Sequence, residues 1–237
     1  MQTLREDQVS KKPPSPLLLA LESRVFAEFG GLLASLPLLR RLPRGDGHAV
    51  MVVPGFGGDD LSTLALRRVL NKLGYDSHGW GLGRNLGMRA GMKDALGTRL
   101  RALHESHEGK VSLIGWSLGG VFVREMARAQ PQLVRRVFTL GSPINGHPDA
   151  NNMTPIFRAV NRGKPVKLDW EGFQRRRVPP PVPCVAIYSR TDGIVEWHCS
   201  REEEADNTEN VEVFSSHFGL PYNPLVLRAL AARLPLP

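Results

Sequence analysis

Two cysteines in 237 residues, Cys184 and Cys199, are too few for a disulfide framework and wrongly spaced for a metal cluster. Free thiols in a reducing compartment fit them better than one bridge formed in an oxidising compartment. Long apolar runs are missing: the stretch Leu17 to Leu21 is too short to span a bilayer, and Glu22 and Arg24 follow at once. The basic start and small-residue cleavage site of a secretory signal are also missing, so the reading is cytoplasmic, with neither leader peptide nor membrane helix. Aromatic residues make up 7% and do not interleave with basic ones as in nucleic-acid modules, which sets nucleic acid aside as a partner. Acidic residues are the minority, leaving a formal charge of +8. The excess is mostly scattered arginine, with one cluster at Arg175-Arg176-Arg177. It reads as a soluble basic surface with a weak attraction to anionic membranes.

What is present is an alternation of short β-branched runs and helical patterns, long enough for one α/β domain with a sizeable core. Met1 to Pro16 is polar, then proline-rich, and reads as a disordered leader. Leu18, Leu21, Val25, Phe29, Leu32 and Leu36 then fall on one helical face, with a kink expected at Gly30-Gly31 and an end or bend at Pro37. That helix is expected to pack on the body of the domain rather than face a lipid interface or substrate. Residues 1–43 thus form a tail and helical extension, and residues 44–237 the domain. Its expected strands are His48 to Val53, Tyr75 to Trp80, a run from Val111, Val134 to Leu140, Cys184 to Tyr188 and Val211 to Phe214. Helices are expected from a cap at Asp59 or Asp60 to about Leu73, and over Met88 to His107, Val121 to Ala129 and Pro224 to Leu234. Strand and helix in alternation mean a mostly parallel sheet of about six strands. Residues 144–181 break the alternation and read as a partial cap that shapes an apolar channel or moves as a lid. The loop Gly81 to Gly87 has the wrong spacing for a dinucleotide fingerprint and reads as lining a pocket.

The chemistry centres on Gly115-Trp116-Ser117-Leu118-Gly119. A strand precedes it and a helix follows, the context in which a sharp turn holds a serine hydroxyl in the open. Ser117 is the expected nucleophile, and the Leu118 amide, at a helix N-terminus, is placed to stabilise an oxyanion. Pro54-Gly55-Phe56-Gly57-Gly58, directly after an early strand, offers the Phe56 amide as the second donor. Asp192, in the loop after Cys184 to Tyr188, is the orienting acid. His217, after the last strand, is the general base. The other histidines fail on order or place: His48 and His78 precede the serine, His104 and His107 belong to a helix, His147 sits in the insertion, and His198 follows Asp192 too closely. Trp80, Trp116, Ile144 and Phe157 are candidates for the substrate pocket, although Trp80 suits a packed core equally well.

Taken together, these stretches resemble the α/β-hydrolase superfamily, and within it small bacterial lipase- and esterase-like proteins, over roughly residues 48 to 234. The chain order Ser117, Asp192, His217 is the superfamily's own. The resemblance implies a serine carboxylic-ester hydrolase that forms an acyl-enzyme on apolar acyl esters, with no metal and no cofactor, an ester or lipid-like substrate, and peripheral contact with lipid surfaces. Two departures stand out. Pro54 occupies the place of a histidine found in many lipases, and the chain starts at what would be the third strand of the full fold. An acyltransferase or a polyester depolymerase would use the same three residues, whereas a binding protein of this fold would leave Ser117 unlabelled by a fluorophosphonate.

Overall fold

The computed structural model describes residues 11–39, 41–161 and 170–236. Six strands form one sheet: β1 (Ala49–Val53), β2 (Asp76–Gly79), β3 (Val111–Trp116), β4 (Val134–Leu140), β5 (Cys184–Tyr188) and β6 (Thr208–Glu212), in the order β2-β1-β3-β4-β5-β6. All five pairings are parallel. The helices are α1 (Pro16–Ala20), α2 (Val25–Leu39), α3 (Leu64–Leu73), α4 (Met92–His107), α5 (Leu118–Ala129), α6 (Thr154–Val160), α7 (Trp170–Arg177) and α8 (Pro224–Arg233).

Strand β1 reads Ala-Val-Met-Val-Val and is buried throughout because helices cover both faces of the sheet. Its Val50 and Val52 pack with Ile114, Phe138 and Ile187 against α3, α8 and Leu32 of α2. Its Ala49, Met51 and Val53 point the other way, with Leu113 and Val137, onto α4 and α5. The strand order turns back between β1 and β3, so the loops leaving these two strands open a crevice at their carboxyl ends.

Three expectations need correcting. The last strand covers Thr208–Glu212 rather than Val211 to Phe214. As an edge strand it is covered on one side only, so its polar sequence hides it from a search for apolar runs. The N-terminal helix breaks earlier than expected. A 3₁₀ turn at Leu21–Arg24 separates α1 from α2, and α2 runs through both Gly30-Gly31 and Pro37. Finally, neither Asp59 nor Asp60 caps α3, which starts at Leu64. Asp59 accepts from the Leu61 and Ser62 amides in the turn before it, and the Asp60 carboxylate accepts from the Trp80 and Gly81 amides. Of the expected leader, residues 1–10 lie outside the described residues, as do residues 162–169 of the expected cap.

Candidate active site

The tip of the β3–α5 connection is Ser117, at φ 53° and ψ −122°. This is a conformation that costs a non-glycine residue on the order of 1–3 kcal/mol. The surroundings hold it there. Its amide donates to Leu140 O at 2.8 Å, prolonging the β3–β4 ladder by one bond. The helix after it crosses at backbone contact: a Cβ on Gly115 would strike Gly119 O and the Gly120 backbone, and a Cβ on Gly119 would strike the Val53 and Pro54 carbonyls. Leu118, the first residue of α5, has an amide with no acceptor inside the helix.

The loops after β5 and β6 meet at the same edge. Asp192 Oδ2 lies 2.7 Å from His217 Nδ1, and both side chains are nearly inaccessible. Asp192 Oδ1 accepts from the Ile194 and Val195 amides at 2.8 Å each, which fixes the carboxylate's orientation. Gly141, at the end of β4, sits under the pair with φ +56°. A Cβ there would come within 3.0 Å of Asp192 Oδ2 and 3.2 Å of His217 Nδ1. The His217 carbonyl accepts from Trp116 Nε1 at 3.1 Å. Burial of the imidazole favours its neutral form, but the charge and hydrogen bond of Asp192, with the charge of Glu22, outweigh it and raise the His217 pKa above the ordinary value.

Ser117 and His217 line one cavity of about 220 Å³ with Gly55, Phe56 and Leu118. Its apolar walls are Trp116, Val121, Ile144, Met153, Phe157, Phe173 and Phe218; Arg176 also reaches it. Residues 144–153 of the insertion are stitched to the acid loop by Asn152 N to Ile194 O and Glu196 N to Ala150 O, at 2.9 and 3.1 Å. Helix α7 is tied to α5 where Arg124 donates to the Arg176 carbonyl at 2.6 Å.

No family model matches the sequence, and no curated protein matches it. Solved structures do. A Bacillus licheniformis lipase in its mature form superposes with TM-score 0.60 at 17% identity, over 81% of this chain and 94% of that one. Aspergillus fumigatus lipase B gives TM-score 0.59 at 16% identity over 76% of this chain, which spans half the length of the fungal protein. A thioesterase domain from the curacin biosynthetic pathway gives 0.53 at 13% identity, over 82% and 93%. The chain has the α/β-hydrolase fold.

Within this α/β-hydrolase fold the sequence-expected residues distribute unevenly. Ser117, His217, Phe56, Leu118, Trp116, Ile144 and Phe157 share the cavity, with Asp192 behind His217. Trp80 does not. It is fully buried against Met51 and Leu96 on the α4–α5 side of the sheet, and its indole donates to Gly83 O at 2.9 Å. Burying so large a ring in the core is favoured once that one polar atom has a partner. The Gly81 to Gly87 loop also stays behind the wall instead of lining it. Its buried Asn85 donates to Pro54 O at 2.8 Å and takes the Gly57 amide on its carbonyl at 2.6 Å, pinning the Phe56 loop.

Sequence reasoning missed Glu22. From the 3₁₀ turn its buried carboxylate accepts from the amides of Gly193 at 2.8 Å, His217 at 2.9 Å and Phe218 at 3.0 Å. Arg24 donates to the Thr191 and Ser215 carbonyls at 2.6 and 2.8 Å, and Glu28 accepts from the Ser216 amide at 2.8 Å. The N-terminal extension therefore clamps the acid and base loops together. The only sequence signal was a pair of acids and an arginine within an otherwise apolar helix.

A second serine–histidine–aspartate set occurs at the opposite end of the sheet. His48 Nε2 lies 2.8 Å from Ser112 Oγ, and its Nδ1 is bonded to Asp46, which also accepts from Arg135. Bond geometry alone would favour this set, because no hydrogen bond joins Ser117 to His217 in this structure. Ser112, however, is fully buried in the middle of the sheet and does not line the cavity that Ser117 and His217 share. Burial also lowers the His48 pKa, although Asp46 opposes that shift. Ser112 and His48 tie β1 to β3, whereas Ser117 faces open space.

Proposed function

We propose that the protein is a serine carboxylic-ester hydrolase. The observation that carries the reading is Ser117, held at positive φ on the wall of the cavity that His217 shares. Ser117 Oγ attacks the ester carbonyl carbon as His217 Nε2 takes its proton. The amides of Phe56 and Leu118 receive the oxyanion, and Asp192 supports the imidazolium. Collapse expels the alcohol, protonated by His217, and leaves Ser117 acylated. Water, deprotonated by His217, then attacks the acyl carbon and frees the acid. In apo enzymes the nucleophile–base contact is often loose and tightens with substrate, which accommodates the missing Ser117–His217 bond.

The apolar walls favour an uncharged acyl group. A cavity of about 220 Å³ is small beside the ~300–1,000 Å³ of drug-sized sites, which favours short or medium chains. Peripheral contact with lipid surfaces is supported by the exposed Leu17, Phe26, Leu33 and Leu38 of the N-terminal helices and by the net charge of +8. No helix among the described residues is long and apolar enough to cross a membrane.

The test is hydrolysis of a p-nitrophenyl ester series by wild type and Ser117→Ala, with fluorophosphonate labelling of both. Butyrate or hexanoate should turn over faster than palmitate, and the variant should lose turnover and labelling together. Equal turnover by the two proteins would end the proposal.

A further inference from the structure

At the end of the sheet away from the cavity, three side chains converge. Asp76 and His78 alternate on edge strand β2 and so share a face. His107 is the last residue of α4. Asp76 Oδ2 lies 2.7 Å from His107 Nε2 and 3.0 Å from His78 Nε2, and one ligand atom from each residue falls within 4.8 Å of the others.

His107 Nδ1 lies 3.0 Å from the Leu103 carbonyl and 2.9 Å from Ser106 Oγ, which itself reaches that carbonyl at 3.1 Å. With the Ser106 hydroxyl donating to the carbonyl, Nδ1 carries hydrogen and Nε2 turns a lone pair toward the carboxylate oxygen. His78 Nε2 is buried and makes no hydrogen bond, although the same oxygen is 3.0 Å away. Two imidazole nitrogens facing one carboxylate oxygen call for positive charge among them, which a ring proton or a metal cation supplies. The backbone adds to this demand, since the C-terminal end of a helix carries partial negative charge where α4 finishes.

We propose that Asp76, His78 and His107 bind a divalent transition metal ion, with zinc the best match. Two imidazoles and one carboxylate are borderline ligands that suit zinc rather than calcium or magnesium. Zinc–nitrogen and zinc–oxygen bonds of about 2.0–2.1 Å place tetrahedral ligands roughly 3.3 Å apart, so Asp76 Oδ2 draws back by about 0.3 Å from His78 Nε2 and about 0.6 Å from His107 Nε2. The backbone carbonyl on His107 Nδ1 is the usual outer partner of a zinc-bound histidine. Water fills the fourth position on the exposed side of Asp76. The ion clips the end of α4 to β2 and closes the chain segment that carries Asn85. It lies at the opposite end of the sheet from Ser117, so its part is structural.

The experiment is zinc titration of the chelator-stripped, full-length protein, read by calorimetry and thermal melting, with cobalt(II) as a visible-absorption probe of coordination. Wild type should bind one zinc per chain, give the absorption bands of tetrahedral cobalt, and gain about 5–10 °C in Tm at 100-fold excess over Kd. His107→Gln and, separately, Asp76→Asn should each weaken Kd at least 100-fold and remove the Tm gain, while Ser117-dependent ester turnover stays unchanged. Absence of a stoichiometric zinc site in wild type would overturn the proposal. An unchanged Kd in the folded Asp76→Asn protein would overturn it as well.

Discussion

Replacing Glu22 with glutamine changes one charge and almost no volume. The carboxylate holds three backbone amides from two loops. Glutamine keeps an oxygen for two of them, now without charge, and turns an NH₂ group toward the third. Hydrogen bonds to a charged acceptor contribute about 1.5–3 kcal/mol and neutral ones about 0.5–1.5, while a stranded buried donor costs about 1–3. The sum is on the order of 3 kcal/mol, or roughly 6–12 °C in Tm for a domain of this size. Activity supplies the sharper readout. Burial lowers the His217 pKa, but the charge and hydrogen bond of Asp192 and the charge of Glu22 raise it further. The base works only when neutral, so removing the Glu22 charge moves the acid limb of kcat/KM to lower pH. Loss of loop register should also reduce kcat/KM at the optimum by ~10- to ~100-fold. Because the raised pKa stabilises the fold below the unfolded histidine value of about 6.5 and that gain is lost as pH rises through the folded value, the stability deficit is larger on the acid side. Full pH profiles of p-nitrophenyl butyrate hydrolysis, with melts of the same samples, test this. A variant that melts lower yet keeps the wild-type acid limb and kcat/KM would reduce Glu22 to a structural role and refute the reasoning.

Asp192→Asn removes both the largest influence raising the His217 pKa and the acceptor that orients the ring; kcat should fall by ~10³- to ~10⁴-fold, with the acid limb displaced downward, in the same assay. Gly141→Ala puts a Cβ at φ +56°, within 3.0 Å of Asp192 Oδ2; stopped-assay kinetics should show at least a ~10-fold loss of kcat, and melting a loss of about 1–3 kcal/mol. Arg124→Met strands Glu202, whose partner sits 2.7 Å away with both side chains buried. Urea unfolding should give a deficit of about 3–5 kcal/mol, and Arg124→Met with Glu202→Leu should recover most of it. Burial already raises the Glu202 pKa against the pull of Arg124, so the single variant's deficit should shrink as pH falls and Glu202 takes up a proton.

The parts of the fold that depend on local backbone chemistry were legible in the sequence. A strand, a glycine pair flanking a serine and a helical pattern announce the turn at Ser117, because only small residues allow that crossing. The alternation around it gave the parallel sheet. What escaped depends on partners far away in the chain. Nothing near Glu22 shows that its acceptors' donors lie in the Asp192 and His217 loops, and Asn85 looks like any loop asparagine until Pro54 is placed beside it. Trp80 carried no directional signal, since an apolar ring suits a core and a pocket alike. Strand β6 was misplaced because an edge strand does not need the apolar run that marks a central one.

The Glu22 clasp also orders events during biosynthesis. Residue 22 is made 195 residues before His217, whose amide it receives. The Glu22 carboxylate therefore lacks these partners until the segment through Phe218 has been made. Under the proposed function, hydrolytic competence then arrives in one late step, and nascent fragments that already display Ser117 are expected to be inert toward esters.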